Sequence, residues 1–214
     1  MAVRLHASTR AVLSAVLLVL TASSAVAQAP AAAQAAAPQA AARQAAARYV
    51  LDPAKSSLDY QFVQAGAQNK GRFTRMQVSL QNGSGSPAGG KLDVVVDVRS
   101  LDTGDSERDD TLRGADLFDV TKFPEAHFSS TQITQTTSGF DAAGKLTIRN
   151  VTRDVHVPFT FRVSDEQGKA TAYLAGKLLL HRLDYGVGQG DWKSTEWVGN
   201  EVTVSYSLRL LPAP

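Results

Sequence analysis

From Tyr49 onward, apolar residues recur at every second position, a period that belongs to half-buried strands rather than helices. In Lys91 to Arg99, Leu92, Val94, Val96 and Val98 share one face, while Asp93, Asp97 and Arg99 lie opposite. Val155, Val157, Phe159, Phe161 and Val163 alternate with His156, Pro158, Thr160 and Arg162. Val202, Val204, Tyr206, Leu208 and Leu210 alternate with Thr203, Ser205, Ser207 and Arg209. Shorter versions run through Met76, Val78 and Leu80, through Leu146 and Ile148, and through Leu174, Gly176, Leu178 and Leu180. Turn-forming residues separate them: Asn82 to Gly90, Ser138-Gly139, Ala143-Gly144, Asp165 to Gly168, and Gly186 to Gly190.

Roughly eight strands, each with one apolar face and almost no helical pattern between them, predict an antiparallel meander whose apolar faces meet inside. A sandwich or a closed barrel achieves this. Runs of about nine to thirteen residues exceed the ~5–6 usual for a strand and favour a tall, tilted barrel, and closure also removes sticky edges. Thirteen residues tilted near 40° span roughly 30 Å at ~3.3 Å per residue. Pro158 interrupts one strong run. Having no N–H for a ladder, it predicts a bulge or an edge-like gap. Asp105 to Val120 breaks the pattern with charge and predicts a short helix from about Glu107 to Gly114, with Ser106 as the N-cap and Leu117 and Phe118 folded inward to cover one barrel mouth.

Before Tyr49 the pattern differs. Arg4, His6 and Arg10 precede a short apolar run, Ala11 to Leu20, and the small residues Ala25-Val26-Ala27. This predicts a signal peptide over 1–27, cleaved after Ala27, with export to a bacterial periplasm. The apolar run is about half of the ~20 residues a membrane span needs, so no integral span is expected in the mature protein. Residues 28–48 are almost entirely Ala, Gln and Pro, offer nothing large to bury, and are expected to form a linker. The barrel domain is then 49–214.

Composition narrows the chemistry. The 214 residues are 43% hydrophobic and 20% charged and contain no cysteine, which excludes disulfides, Cys-based zinc sites and thiolate catalysis. The net charge of +2 arises from the first 48 residues; beyond them 18 basic residues face 20 acidic ones, with no electrostatic reason to bind nucleic acid. His127, His156 and His181 show no close two-ligand spacing, so no metal site is expected. Gly186-Val187-Gly188-Gln189-Gly190 lacks a following helix to bind phosphate and reads as a barrel-mouth loop. The acids Asp102, Asp105, Glu107, Asp109 and Asp110, interleaved with Arg108 and Arg113, read as helix capping and ion pairing. No catalytic residue and no cofactor is expected.

Ser100-Leu101-Asp102-Thr103-Gly104, Arg108-Asp109, Leu112-Arg113, Leu117-Phe118-Asp119-Val120, Pro124 and Phe128-Ser129-Ser130-Thr131 resemble the central signature of the YceI-like family. The likeness continues in Gly144-Lys145-Leu146-Thr147-Ile148, Val151-Thr152-Arg153 and Val155, and ends in Arg182-Leu183-Asp184-Tyr185-Gly186-Val187-Gly188. The resemblance implies an extended, lipocalin-like antiparallel barrel, commonly periplasmic, that holds a polyisoprenoid or similar long-chain amphiphile in an apolar interior. It makes Arg108, Asp109, Gly104 and Gly144 architectural, the first two tying the insert to a neighbouring loop and the glycines allowing turns. The ligand-binding set is then the inward apolar one: Phe62, Phe73, Val94, Val96, Phe118, Phe128, Leu146, Ile148, Phe159, Phe161, Leu178 and Tyr206. A fatty acid or fatty amide, its head held by Arg72, Arg75 or Trp192, is the alternative ligand. An enzyme acting on a lipophilic substrate and a fully packed, ligand-free stress or interaction protein are the other classes. Association as a homodimer is left open by the sequence.

Overall fold

The computed structural model describes residues 47–83 and 85–214. The segment read as a signal peptide and nearly all of the Ala-rich linker lie outside the described residues. The strands are β1 (Ala47–Leu51), β2 (Ser57–Gln64), β3 (Ala67–Phe73), β4 (Met76–Gly83), β5 (Ser86–Asp97), β6 (Leu101–Asp102), β7 (Glu125–Thr136), β8 (Gly139–Ile148), β9 (Val151–Glu166), β10 (Lys169–His181) and β11 (Val198–Pro212). Among the described residues one α-helix, α1 (Ser106–Arg113), lies between β6 and β7.

All pairings are antiparallel, in the order β1, β4, β5, β7, β8, β9, β10, β11, and β1 returns to pair with β11. The barrel of eight strands is therefore closed. Three of its walls are broken in the middle. β11 pairs through Leu210–Pro212 with β1 and through Val198–Ser207 with β2, so β1 and β2 are two pieces of one bent wall. β1 pairs with β4 and β2 with β3, while β5 pairs with β4 and β6 with β3, so the break continues across the next two walls. The first wall starts at Ala47, two residues before Tyr49, because Ala47 and Arg48 pair with Asn82 and Gln81 through their backbones.

Two glycine-rich stretches read as turns lie in strands. Pro87 to Gly90 belong to β5, where a Cβ at Gly90 would come within 2.1 Å of the Gln81 carbonyl oxygen. Gly144 sits within β8, opposite a register shift between Ser130 and Gln132 of β7; a Cβ there would come within 2.5 Å of the Ser129 carbonyl oxygen. Both mark close backbone approach rather than chain reversal. The bulge also moves the inward set of β7 from even positions (Phe128, Ser130) to Ile133, which is buried opposite Ala142.

The two barrel ends differ. The end holding the β4–β5, β7–β8 and β9–β10 turns is solid: Leu80, Ile133, Ala142 and Leu210 are each at most 2% exposed. The opposite end holds α1 and the β10–β11 loop. A network on the outer face binds the solid end, where Arg209 pairs with Asp52 and Glu166. Near the break in the walls, Asp97 accepts from both Arg75 and Arg99 at 2.8–3.1 Å.

Replacing Leu210 by Ala should cost about 3–5 kcal/mol, because a side chain with no exposed surface leaves a cavity behind; chemical denaturation measures it. Hydrogen bonds from Arg99 and Arg75 hold the Asp97 carboxyl at about 2, below its ordinary 3.8. Its stabilising effect is complete above the ordinary value and fades as pH falls toward the lowered one. Asp97→Asn should therefore cost about 1 kcal/mol at neutral pH, discounted for the exposed arginines, and progressively less as pH falls through about 2.

Candidate functional site

α1 opens as an acid-rich segment should. The N-cap is Asp105 rather than Ser106; its carboxylate accepts from the Arg108 amide at 3.1 Å, placing negative charge at the helix start. Gly114 caps the other end. Asp109 is buried and accepts from the backbone and hydroxyl of Thr103, at 2.9 and 2.8 Å, which ties the helix to the loop before it. Arg108 pairs instead with Asp105 of its own helix and borders the interior. Beyond the helix, Leu117 is buried and Phe118 meets Phe73 edge-on, with ring centroids 6.3 Å apart.

The β10–β11 loop meets this insert. Gly188 and Gln189 donate their amides to the Asp116 carbonyl at 3.0 and 2.7 Å, and Arg149 donates to the carbonyls of Ala115 and Leu117. Leu117, Tyr185 and Val187 form one buried cluster under this cap. The loop is held from within by Arg182. Its guanidinium donates to the carbonyls of Gly199, Val187, Trp192, Ser194 and Val198 at 2.7–3.1 Å, using all five N–H groups. Burial pulls its pKa below the usual arginine value.

Beneath the cap lies an apolar cavity of about 240 Å³. Of the twelve residues expected from alternation, Phe62, Phe73, Val94, Val96, Phe118, Phe128, Leu146, Ile148, Leu178 and Tyr206 line it. Phe159 and Phe161 do not. They point inward but at the solid end, where Phe140 stacks on Phe159 at 5.6 Å and meets Phe161 edge-on at 6.2 Å. Alternation tells inside from outside but carries no information about depth along a strand. For the same reason the barrel is not hollow throughout: Leu80, Ile133, Ala142 and Leu210 fill the other end, and none of them lines the cavity. Other lining residues, outside the expected ligand-binding set, are Leu58, Tyr60, Met76, Leu112, Val157 and Val204. All but Leu112 occupy inward positions in their strands.

The polar groups at the cavity are few. Arg108, Thr111, Gln64 and Arg182 border it, and the Thr111 hydroxyl is engaged with the Glu107 carbonyl at 2.9 Å. Tyr60 lies over Gly71, where a Cβ would stand 2.4 Å from its ring, and its buried hydroxyl has no partner among the described residues. Burial, reinforced by Asp109 and Asp102, raises the pKa of that phenol. Of the residues proposed to hold a charged head, only Trp192 reaches the cavity. Arg75 faces Asp97 and Arg72 lies 4.0 Å from Asp102, both on the outer side at the break between β3 and β4. The histidines each face one carboxylate at the surface: His127 with Glu125, His156 with Asp141, His181 with Asp184.

The YceI-like domain model matches residues 49–210, nearly the whole described barrel. The chain belongs to the YceI-like family. A UPF0312 protein of Yersinia pestis is 38% identical over 85 residues, and the chain spans 44% of that relative's length. Among solved structures, BcnA of Burkholderia cenocepacia superposes with a TM-score of 0.67 at 32% identity, covering 74% of this chain and 98% of BcnA. A polyisoprenoid binding domain from Saccharophagus degradans, implicated in plant cell wall breakdown, superposes with a TM-score of 0.59 at 17% identity, covering 77% and 98% of the two chains; it shares the fold. No helix among the described residues is long and apolar enough to cross a membrane.

Arg182 supplies the check on this site. Arg182→Ala leaves five carbonyls unanswered under the cap and should cost about 3 kcal/mol or more. Gly188→Ala should approach the same loss, since its Cβ would stand 2.0 Å from the Arg182 guanidinium at a φ of +122°. Thermal unfolding reads both, and amide exchange should locate the loosening at Arg182 to Val198.

Proposed function

We propose that this YceI-like barrel binds and carries a polyisoprenoid or similar long-chain lipid, with its apolar chain in the capped cavity, in the bacterial periplasm after export directed by residues 1–27. The observation that carries the reading is a cavity whose lining is almost wholly hydrocarbon, inside a barrel whose other end is packed solid. Such a space stays dry, and filling it with a chain removes apolar surface from water at about 0.8 kcal/mol per CH₂. The name of the Saccharophagus degradans domain, which shares the fold, supports the same ligand class.

The head group is neutral or weakly polar on this reading. Every N–H of Arg182 is already engaged with a backbone carbonyl, and Arg108 shares its surroundings with Asp105. Neither arginine is an unencumbered partner for a carboxylate, so a prenyl chain is favoured over a fatty acid. The protein acts by sequestration, and no bond-making role is proposed for its side chains.

Filling the cavity tests this. Val94→Phe should leave stability within about 1 kcal/mol, because the added ring enters existing space, yet weaken binding of a farnesyl or geranylgeranyl probe at least tenfold. The outward Val95→Thr is the control and should bind as the parent does. Equal affinity of the parent and Val94→Phe, by fluorescence titration, would overturn the reading. Leu146→Glu should likewise abolish binding while Lys145→Glu preserves it, compared at equal folded fraction.

A further inference from the structure

Backbone pairing between β9 and β10 stops at Phe159 opposite Gly176. In the same register Pro158, Val157, His156, Val155 and Asp154 would next face Lys177, Leu178, Leu179, Leu180 and His181, but none of these pairs forms. The strands themselves do not end there. β9 remains paired with β8 from Val151 to Phe159, and β10 with β11 as far as His181 opposite Glu201. Two walls held firmly on their outer sides share no backbone pairs over this stretch, an unladdered window in the capped half of the barrel.

Both limits of the window are built. At its lower limit Pro158 has no N–H to offer β10, and its carbonyl accepts instead from the Tyr206 hydroxyl at 2.5 Å. The tyrosine reaches past Gly176, where a Cβ would stand 2.2 Å from the Pro158 oxygen and 2.6 Å from the hydroxyl. At the upper limit, Arg153 donates to the Asp184 carbonyl at 3.2 Å. Between them, Val157, Leu178 and Leu180 line both the cavity and the window, and Leu179 on the outer side is 52% exposed. A second unpaired stretch, between Ser86–Leu92 of β5 and Ser130–Thr136 of β7, is closed by comparison. There the Leu92 amide donates to the Ser130 hydroxyl at 2.8 Å, and Pro87 and Ile133 fill the space.

At the barrel mouth, by contrast, the insert and the β10–β11 loop are hydrogen-bonded to each other through Asp116. We propose that the window between β9 and β10 is the route by which an apolar chain enters and leaves the cavity. Passage there breaks no backbone ladder and disturbs neither the Arg182 anchor nor the cap, whereas passage through the mouth requires opening both. The inference rests on the lipid-binding reading of the cavity.

The chain has no cysteine, so an introduced pair can be joined selectively. The variant His156→Cys with Leu179→Cys, joined by a short bis-maleimide, staples the window from outside. Asp116→Cys with Gln189→Cys, joined in the same way, staples the mouth. The probe is a farnesyl chain carrying a small environment-sensitive fluorophore, and stopped-flow uptake and release are measured alongside equilibrium affinity. The window staple should slow both rates at least tenfold while affinity changes little, since a route alters rates and not the equilibrium. The mouth staple, and the window pair capped singly without a link, should exchange the probe as the parent does. Unaltered exchange with the window stapled, or slowing only by the mouth staple, would overturn the proposed route. Failure of the unmodified protein to take up any probe would instead overturn the binding reading on which the route depends.

Discussion

Everything in this molecule depends on closing a sheet that is apolar on one face. Such a sheet cannot stand open in water, and curling it brings the first wall against the last, where β11 offers one continuous edge from Val198 to Pro212. The chain answers with two short strands, β1 and β2, rather than one. The break at Asp52 to Ser56 is repaired by the Ser56 hydroxyl, which accepts from the Arg209 amide at 2.9 Å, and by Asp52, whose amide donates to the Arg209 carbonyl at 2.8 Å. Because the wall bends here, the two barrel halves pack differently. One half fills with Leu80, Ile133, Ala142 and Leu210; the other stays open and needs a cap.

The cap is therefore a consequence of the fold as much as a functional part. A barrel open at one end would expose Phe73, Leu146, Ile148 and Leu180, and the insert and the β10–β11 loop cover them with Leu117, Phe118, Tyr185 and Val187. A loop crossing a barrel mouth has carbonyls with no strand to receive them. Arg182 supplies five donors from one side chain and so replaces a ladder that cannot exist there. The acidic stretch Asp105 to Asp110 is spent likewise on the cap and ties of α1.

Much of this was legible in the chain because a period of two is a direct record of facing. The all-β architecture and nine cavity-lining side chains on strands follow from it, strand length pointed to the barrel, the short insert with Phe118 showed where the period fails, and the anomaly at Pro158 stands where pairing with β10 ends one residue later. Depth was not legible. Phe159 and Phe161 carry the same signal as Val157, yet a packing partner, Phe140, arrives from a neighbouring strand whose register only the closed barrel defines. Glycine was ambiguous for a related reason. Gly90 and Gly144 read as turns, but they are needed where two backbones approach, and the approaching carbonyls of Gln81 and Ser129 belong to other strands. The role of Arg182 was hidden in a family motif, because its five acceptors are backbone atoms and leave no trace in residue type.

The central claim is that an apolar chain occupies the capped half of the barrel and leaves the solid half untouched. Methyl-resolved NMR during titration with a prenyl alcohol below its aggregation threshold tests it directly. Leu146, Ile148 and Leu178 should shift and show contacts to the prenyl methyls, while Leu80, Ile133 and Leu210 keep their free positions. Shifts confined to exposed residues such as Leu179, or equal shifts throughout the solid half, would contradict the account.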